Sequence, residues 1–171
     1  MLITEKYRAE QTYLHTEHPN HRKYGTGKGW TDVITNLYDE YQCSGVLDYG
    51  CGKALLNEHM TLPITNYDPG LPEFAALPRP HDLVVCMDVL EHVEPELLQN
   101  VLKHLHDVTI KVLFVTISLK YAGRYLRDGR NAHLIVKPAT WWIAQLDAAG
   151  LVPVETYGSQ KLDWVASLRK K

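Results

Sequence analysis

The chain has 171 residues, 45% of them hydrophobic and 22% charged, with a formal net charge of −2. That length suits one domain with a sizeable core, and the composition argues against disorder. The near-neutral balance gives no global pull toward nucleic acid or anionic membranes, although a local basic patch would suffice for the former.

The first residues, MLITEKYRAEQTYLH, lack the basic-then-apolar layout of a secretion signal, and no apolar run approaches the ~18 residues of a membrane span. Cys43, Cys51 and Cys86 are odd in number and lack CxxC spacing, so neither a disulfide framework nor a zinc knuckle is indicated. The expectation is a cytoplasmic protein of one domain, 1–171, with an N-terminal arm or lid over 1–30 and a core over 31–171.

The polar, aromatic and glycine-dotted residues 1–30 read as an irregular or weakly helical arm. TDVITNLYDEYQ, residues 31–42, has Val33, Leu37 and Tyr41 at helical spacing. Val46–Tyr49 reads as a short buried strand, followed by a glycine turn and a helix near Ala54–Met60. Ile64–Tyr67 is a second strand, ended by Asp68-Pro69-Gly70. A proline-rich connector leads to a buried strand over Asp82–Met87. Residues 94–107 form an amphipathic helix with Pro95 in its first turn, and 111–119 another buried strand. A polar loop, KYAGRYLRDGRNAH, precedes a helix over about 138–149, stopped by Gly150, and two final strands near 151–157 and 162–168. Strands alternating with helices predict an α/β fold with a mostly parallel sheet and a C-terminal antiparallel strand pair.

Three strand ends carry the chemistry. LDYGCG places Asp48 two residues before Gly50, with Gly52 following. Glycines there allow a tight turn and let a ligand approach the backbone. Asp68 ends the next strand, where a carboxylate can accept hydrogen bonds from ribose hydroxyls. DLVVCMDVLEH, Asp82–His92, supplies a third strand end with a polar rim. A nicotinamide fingerprint would need glycine at position 55, where Leu55 stands, and no P-loop pattern is present.

Together these three motifs resemble those of the class I S-adenosylmethionine-dependent methyltransferases. The resemblance implies a Rossmann-like sheet and S-adenosylmethionine as cofactor, with S-adenosylhomocysteine as product. It places Asp48, Gly50, Gly52 and Asp68 around that cofactor and sets Met87, Asp88 and Val89 beside its methionine part. The interval between Asp68 and Asp82 is too short for the family's usual elements, so the third strand is expected to be reduced or absent. Phe74, Ala76 and Leu77 of the connector are then expected to cover the adenine.

The family often builds its acceptor pocket where GRYLRDGRNAH stands. Lys120, Arg124, Arg127 and Arg130 are candidate substrate contacts, since guanidinium groups recognise phosphate or carboxylate. Asn131 and His133 are candidates for orienting or deprotonating the acceptor; the bland alternative is a solvated loop around Asp128-Gly129. His92 is a third candidate base, although a role in holding the loop is favoured for both Glu91 and His92. Tyr24, in the arm, is a candidate contact to the methionine end or the acceptor. His15, His18 and His21 lack completing ligands, so no metal site is expected.

The favoured reading is an enzyme methylating a small anionic or polyhydroxylated acceptor such as a nucleotide, sugar nucleotide or related metabolite. Nucleic acid is a less favoured acceptor: MDVL stands where base amino-methyltransferases carry their Pro-Pro signature, and no Pro-Cys pair supports cytosine C5 chemistry. A protein acceptor and a non-catalytic cofactor-binding module are the remaining alternatives.

Overall fold

The computed structural model describes residues 1–17, 28–158 and 161–171. Ten helices and strands are described in chain order. Helices α1 (Glu5–Thr16) and α2 (Thr31–Glu40) come first, then strands β1 (Val46–Tyr49), β2 (Ile64–Tyr67) and β3 (His81–Met87). Helix α3 (Leu98–Val108), strand β4 (Thr109–Ser118) and helix α4 (Ala139–Ala148) follow, and β5 (Leu151–Tyr157) and β6 (Asp163–Lys170) finish the chain.

The sheet order is β2-β1-β3-β4-β6-β5. The first four strands in that order pair in parallel, while β6 runs antiparallel to both β4 and β5. No strand lies between β2 and β3, as the short connector predicts; a single 3-10 turn, Pro72–Phe74, fills the interval. Strand order reverses beside β1, so a crevice is expected outside its carboxyl end.

Side-chain alternation along the strands builds two cores. Leu47, Tyr49, Val84, Cys86, Leu113 and Val115 face α3 and α4, where Leu102, Leu105, Trp142 and Leu146 are buried. Val46, Leu83, Val85, Val112 and Phe114 face the opposite way, toward Ile34 and Leu37 of α2. Gly150, at φ +84°, ends α4 as expected of a residue just beyond a helix.

Two local expectations are corrected. Residues 5–16, expected to be irregular or weakly helical, form three regular turns of helix, with the Thr4 side chain capping the Tyr7 N–H. The helix is thin in apolar residues and is held by tertiary contacts. The Thr4 N–H and hydroxyl donate to Glu94, the Tyr7 hydroxyl donates to the His92 carbonyl at 2.7 Å, and Arg127 pairs with Glu10 at 3.0 Å. Tyr7 and Leu14 also pack on Leu126 and Ala132 of the long loop after β4. The second correction lies after β1, where no α-helix forms. Ala54 adopts φ +57° and only a 3-10 segment, Leu55–Glu58, follows. Leu56 anchors it in the α2-side core.

Candidate active site

The glycine turn is fixed by its neighbours. The N–H groups of Gly50 and Cys51 donate to the carbonyl of Tyr67, at 2.7 and 3.1 Å, which ties the turn to the end of β2. Gly50 has φ +78°, and a Cβ there would lie 2.4 Å from Val89 Cγ2. No other residue fits that position without displacing the segment after β3. Gly52, at φ +51°, is covered by the His15 ring, 3.1 Å from where its Cβ would be.

Asp68 lies across the turn. Its Oδ2 accepts from the Gly52 N–H at 2.9 Å and its Oδ1 from the Gly70 N–H at 2.7 Å. Each carboxylate oxygen retains a second lone pair, so the group that braces the turn can also accept from a ligand hydroxyl. Asp48 stands behind it, buried on the strand and away from the cavity wall. Burial, reinforced by the charge of Asp68, pushes its carboxyl up to about 7.

That shift has a sign that can be checked. A carboxyl raised in the folded state keeps its proton between about pH 4 and 7, where the unfolded chain has lost it. The folded form therefore loses stability relative to the unfolded chain as pH rises through that window. Asp48→Asn removes this dependence. The difference in unfolding free energy between variant and wild type should move in the variant's favour by about 2–4 kcal/mol from pH 4 to 8, measured by urea denaturation. A difference independent of pH would refute the assignment.

In front of the turn lies a cavity of about 450 Å³, within the usual range for small-molecule sites. Its walls come from Tyr7, Gln11 and His15 of α1, the glycine turn, Asp68, and Met87–Val89. Glu91, His92, Thr116, Ser118, Lys120, Arg124 and His133 complete the far side. Asp88 is held at φ +54°, an uncommon conformation for a residue with a side chain. Its N–H donates to Thr116 Oγ1 at 3.0 Å, and that hydroxyl donates back to Asp88 Oδ1 at 2.8 Å.

Beyond Asp88 the wall is polar. Glu91 is fully buried; its Oε1 accepts from the Ser118 N–H at 2.8 Å. Burial, with the charge of Asp88 adding to it, pushes its carboxyl up to about 8. His92 Nδ1 lies 2.8 Å from the Ala132 carbonyl, and His133 Nδ1 lies 2.6 Å from the Lys120 carbonyl. Carbonyls only accept, so each Nδ1 carries a proton, and in the neutral form of either ring Nε2 presents a lone pair. Burial lowers the His92 imidazole to about 3, with His133 adding to the effect.

The residues singled out from the sequence divide accordingly. Gly50, Gly52, Asp68, Met87, Asp88, Val89, His92, Lys120, Arg124 and His133 line the cavity; Asp48, Phe74, Ala76 and Leu77 do not. Leu77 is 72% exposed, and the Phe74 carbonyl serves the connector by accepting from the Asp68 N–H. Arg127 is paired with Glu10 and Arg130 with Asp128, so both guanidinium groups are used in holding the loop. Tyr24, His18 and His21 lie outside the described residues. Among the wall residues not anticipated as part of the site are three from α1. Tyr7 and Gln11 come from the segment read as an irregular or weakly helical arm. His15, weighed from the sequence as a metal ligand, packs on the glycine turn.

Asn131 acts through the loop. Its Oδ1 accepts from the N–H groups of Ala122 and His133, both at 3.0 Å, while its Nδ2 donates to the Ala122 carbonyl at 2.9 Å. It positions His133 and does not itself line the cavity. Asn131→Ala should lower stability by about 1–3 kcal/mol in urea denaturation and leave cofactor affinity within a few-fold. Unchanged stability would show that the loop does not depend on this side chain.

No model of a protein family matches the sequence, and no curated protein is detectably similar to it. Solved structures do match. Burkholderia thailandensis 1,6-didemethyltoxoflavin-N1-methyltransferase, bound to its substrate and S-adenosylhomocysteine, is 16% identical with a TM-score of 0.70; the match covers 100% of this chain and 92% of that one. An S-adenosylmethionine-dependent methyltransferase from Clostridium acetobutylicum is 11% identical at a TM-score of 0.66, covering 98% and 99%. Magnesium protoporphyrin IX methyltransferase from Synechocystis, with bound S-adenosylmethionine, is 15% identical at 0.59, covering 98% and 92%.

The chain has the S-adenosylmethionine-dependent methyltransferase fold.

Within that methyltransferase fold, the glycine turn, Asp68 and Met87–Val89 stand at the carboxyl ends of β1, β2 and β3. Helix α1 closes the site from above. The basic side chains Lys120 and Arg124 reach the cavity from the loop after β4. Among the described residues, no helix is long and apolar enough to cross a membrane.

Proposed function

We propose that the chain is an enzyme that transfers a methyl group from S-adenosylmethionine to a small anionic or polyhydroxylated acceptor. The observation that carries this reading is the convergence of the Gly50–Gly52 turn, the doubly held Asp68 carboxylate and the Met87–Val89 segment on one cavity. Gly50, Gly52 and Asp68 would hold the nucleoside end of the donor, and Met87–Val89 its methionine end. Asp48 supports the turn from behind.

Methyl transfer is an in-line displacement at carbon, so the enzyme must align the acceptor with the sulfonium and exclude water. Helix α1, pinned at Thr4, Tyr7 and Glu10, supplies the roof. In the absence of a bound ion, His133 Nε2 is placed to receive an acceptor proton, whereas burial makes His92 too weak a base for that task and leaves it a positioning role. Lys120 and Arg124 favour an acceptor with a phosphate or carboxylate. The similar solved structure is a 1,6-didemethyltoxoflavin-N1-methyltransferase with 1,6-didemethyltoxoflavin bound, which supports a small acceptor here.

A screen with radiolabelled methyl donor against pooled nucleotides, sugar nucleotides, nucleic acids and proteins tests this reading. Label should enter the small-molecule pools and depend on Lys120 and Arg124. Label confined to nucleic acid or protein would overturn the acceptor assignment. Donor binding without transfer to any pool would favour a binding module.

A further inference from the structure

We propose that Glu91, His92 and His133 form a binding site for one divalent transition-metal ion on the acceptor side of the cavity. One donor atom from each of the three lies within 4.8 Å of the others. Around an ion with bonds of about 2.1 Å, adjacent ligands sit roughly 3 Å apart. Small side-chain rotations therefore close the set.

The atoms that do not ligate are already held in place. Nδ1–H of His92 is committed to the Ala132 carbonyl and Nδ1–H of His133 to the Lys120 carbonyl, leaving Nε2 of each ring as a donor. Glu91 Oε1 accepts from the Ser118 N–H, while Oε2 is buried with no hydrogen-bond partner. Second-shell locking of this kind fixes ring orientation and tautomer in metal sites. A purely structural seam would account for the ring contacts, with centroids 4.7 Å apart, but would leave Oε2 unsatisfied. An orphaned buried carboxylate oxygen costs free energy that a cation recovers.

Two imidazoles and one carboxylate suit Mn²⁺, Fe²⁺, Co²⁺ or Zn²⁺ and leave coordination positions open. All three residues line the cavity, so those positions face the ligand space. The consequence for chemistry rests on the methyl-transfer reading. A hydroxyl of the acceptor, bound to the ion, would release its proton to water more readily. The resulting oxyanion attacks the methyl carbon; the new O–C bond forms as the S–C bond breaks, and the sulfonium leaves as a neutral thioether. The acceptor atom is then oxygen. The sequence reading, which weighed only His15, His18 and His21 as ligands, gave no sign of this site.

Titration with Co²⁺ alone, followed by visible absorption and calorimetry, tests the proposal. The wild type should bind one equivalent with a saturable ligand-field band. His133→Ala and Glu91→Gln should each weaken binding at least about 100-fold. Absence of saturable binding to the wild type below millimolar Co²⁺, or wild-type affinity retained in both variants, overturns it. Circular dichroism verifies folding, and the more exposed His133 serves as the decisive variant should Glu91→Gln unfold. No methyl donor is present, so failure here leaves the donor-binding reading standing; a separate titration with S-adenosylhomocysteine decides that one.

Discussion

Gly50→Ala is expected to destabilise the protein by about 2–4 kcal/mol and to abolish S-adenosylhomocysteine binding. The backbone at φ +78° is strained for any side chain, and the added Cβ falls 2.4 Å from Val89 Cγ2 and 2.9 Å from Cγ1. Either the glycine turn or the Met87–Val89 segment must move, and both form the proposed donor site. The two contributions can be separated. Val89→Ala in the same chain removes the two Cγ collisions, leaving a Cβ contact at 3.2 Å and the strain, so the double variant should recover part of the lost stability and retain a deficit of about 1 kcal/mol. Recovery of nothing would mean that Val89 is not the obstacle, and the packing account of the turn would fail.

Asp68→Ala should weaken S-adenosylhomocysteine binding by at least about 100-fold, which is about 2.7 kcal/mol, while the far-UV spectrum remains that of the wild type. The carboxylate has two tasks. It satisfies the N–H groups of Gly52 and Gly70, and it faces the cavity where a ribose would present its hydroxyls. Removing it leaves two turn donors without their partner as well as deleting the ligand contact. Asp68→Asn keeps one acceptor oxygen, so it should fall between wild type and Ala. Unchanged affinity in Asp68→Ala would remove this residue from the site.

The sheet was legible in the sequence because its central strands are short, continuous apolar runs, and such runs are buried on both faces. LVVCM in β3 and VLFVTIS in β4 have no exposed position between Leu83 and Met87 or between Val112 and Ser118. The missing third strand was legible as an interval too short to hold one. Helix α1 was legible only as a weak helical tendency, since its buried residues are only Tyr7, Glu10 and Leu14. Its stability comes from Glu94, His92 and Arg127, all distant in sequence. A helix fixed by tertiary contacts leaves a weak periodic signal. The opposite error at Ala54–Met60 has a local cause: Ala54 in the left-handed region starts a 3-10 segment where a helix was expected.

The candidate site divides along the same line. Gly50, Gly52, Asp68 and Met87–Val89 were readable because each lies within a local motif at a strand end. Tyr7, Gln11 and His15 reach the cavity only through the placement of α1, which the motifs do not encode. Arg127 and Arg130 show the converse. Their charge suggested acceptor binding, yet Glu10 and Asp128, themselves ordinary in the sequence, occupy them. Spacing alone also could not join Glu91 and His92 to His133, which the loop returns to the end of β3 through Asn131 and the Lys120 carbonyl.

Calorimetric titration of the wild-type protein with S-adenosylhomocysteine tests the central claim most directly. One molecule should bind per chain, saturably and at micromolar concentrations, with NAD failing to compete. No binding up to millimolar S-adenosylhomocysteine, or displacement by NAD, would contradict it.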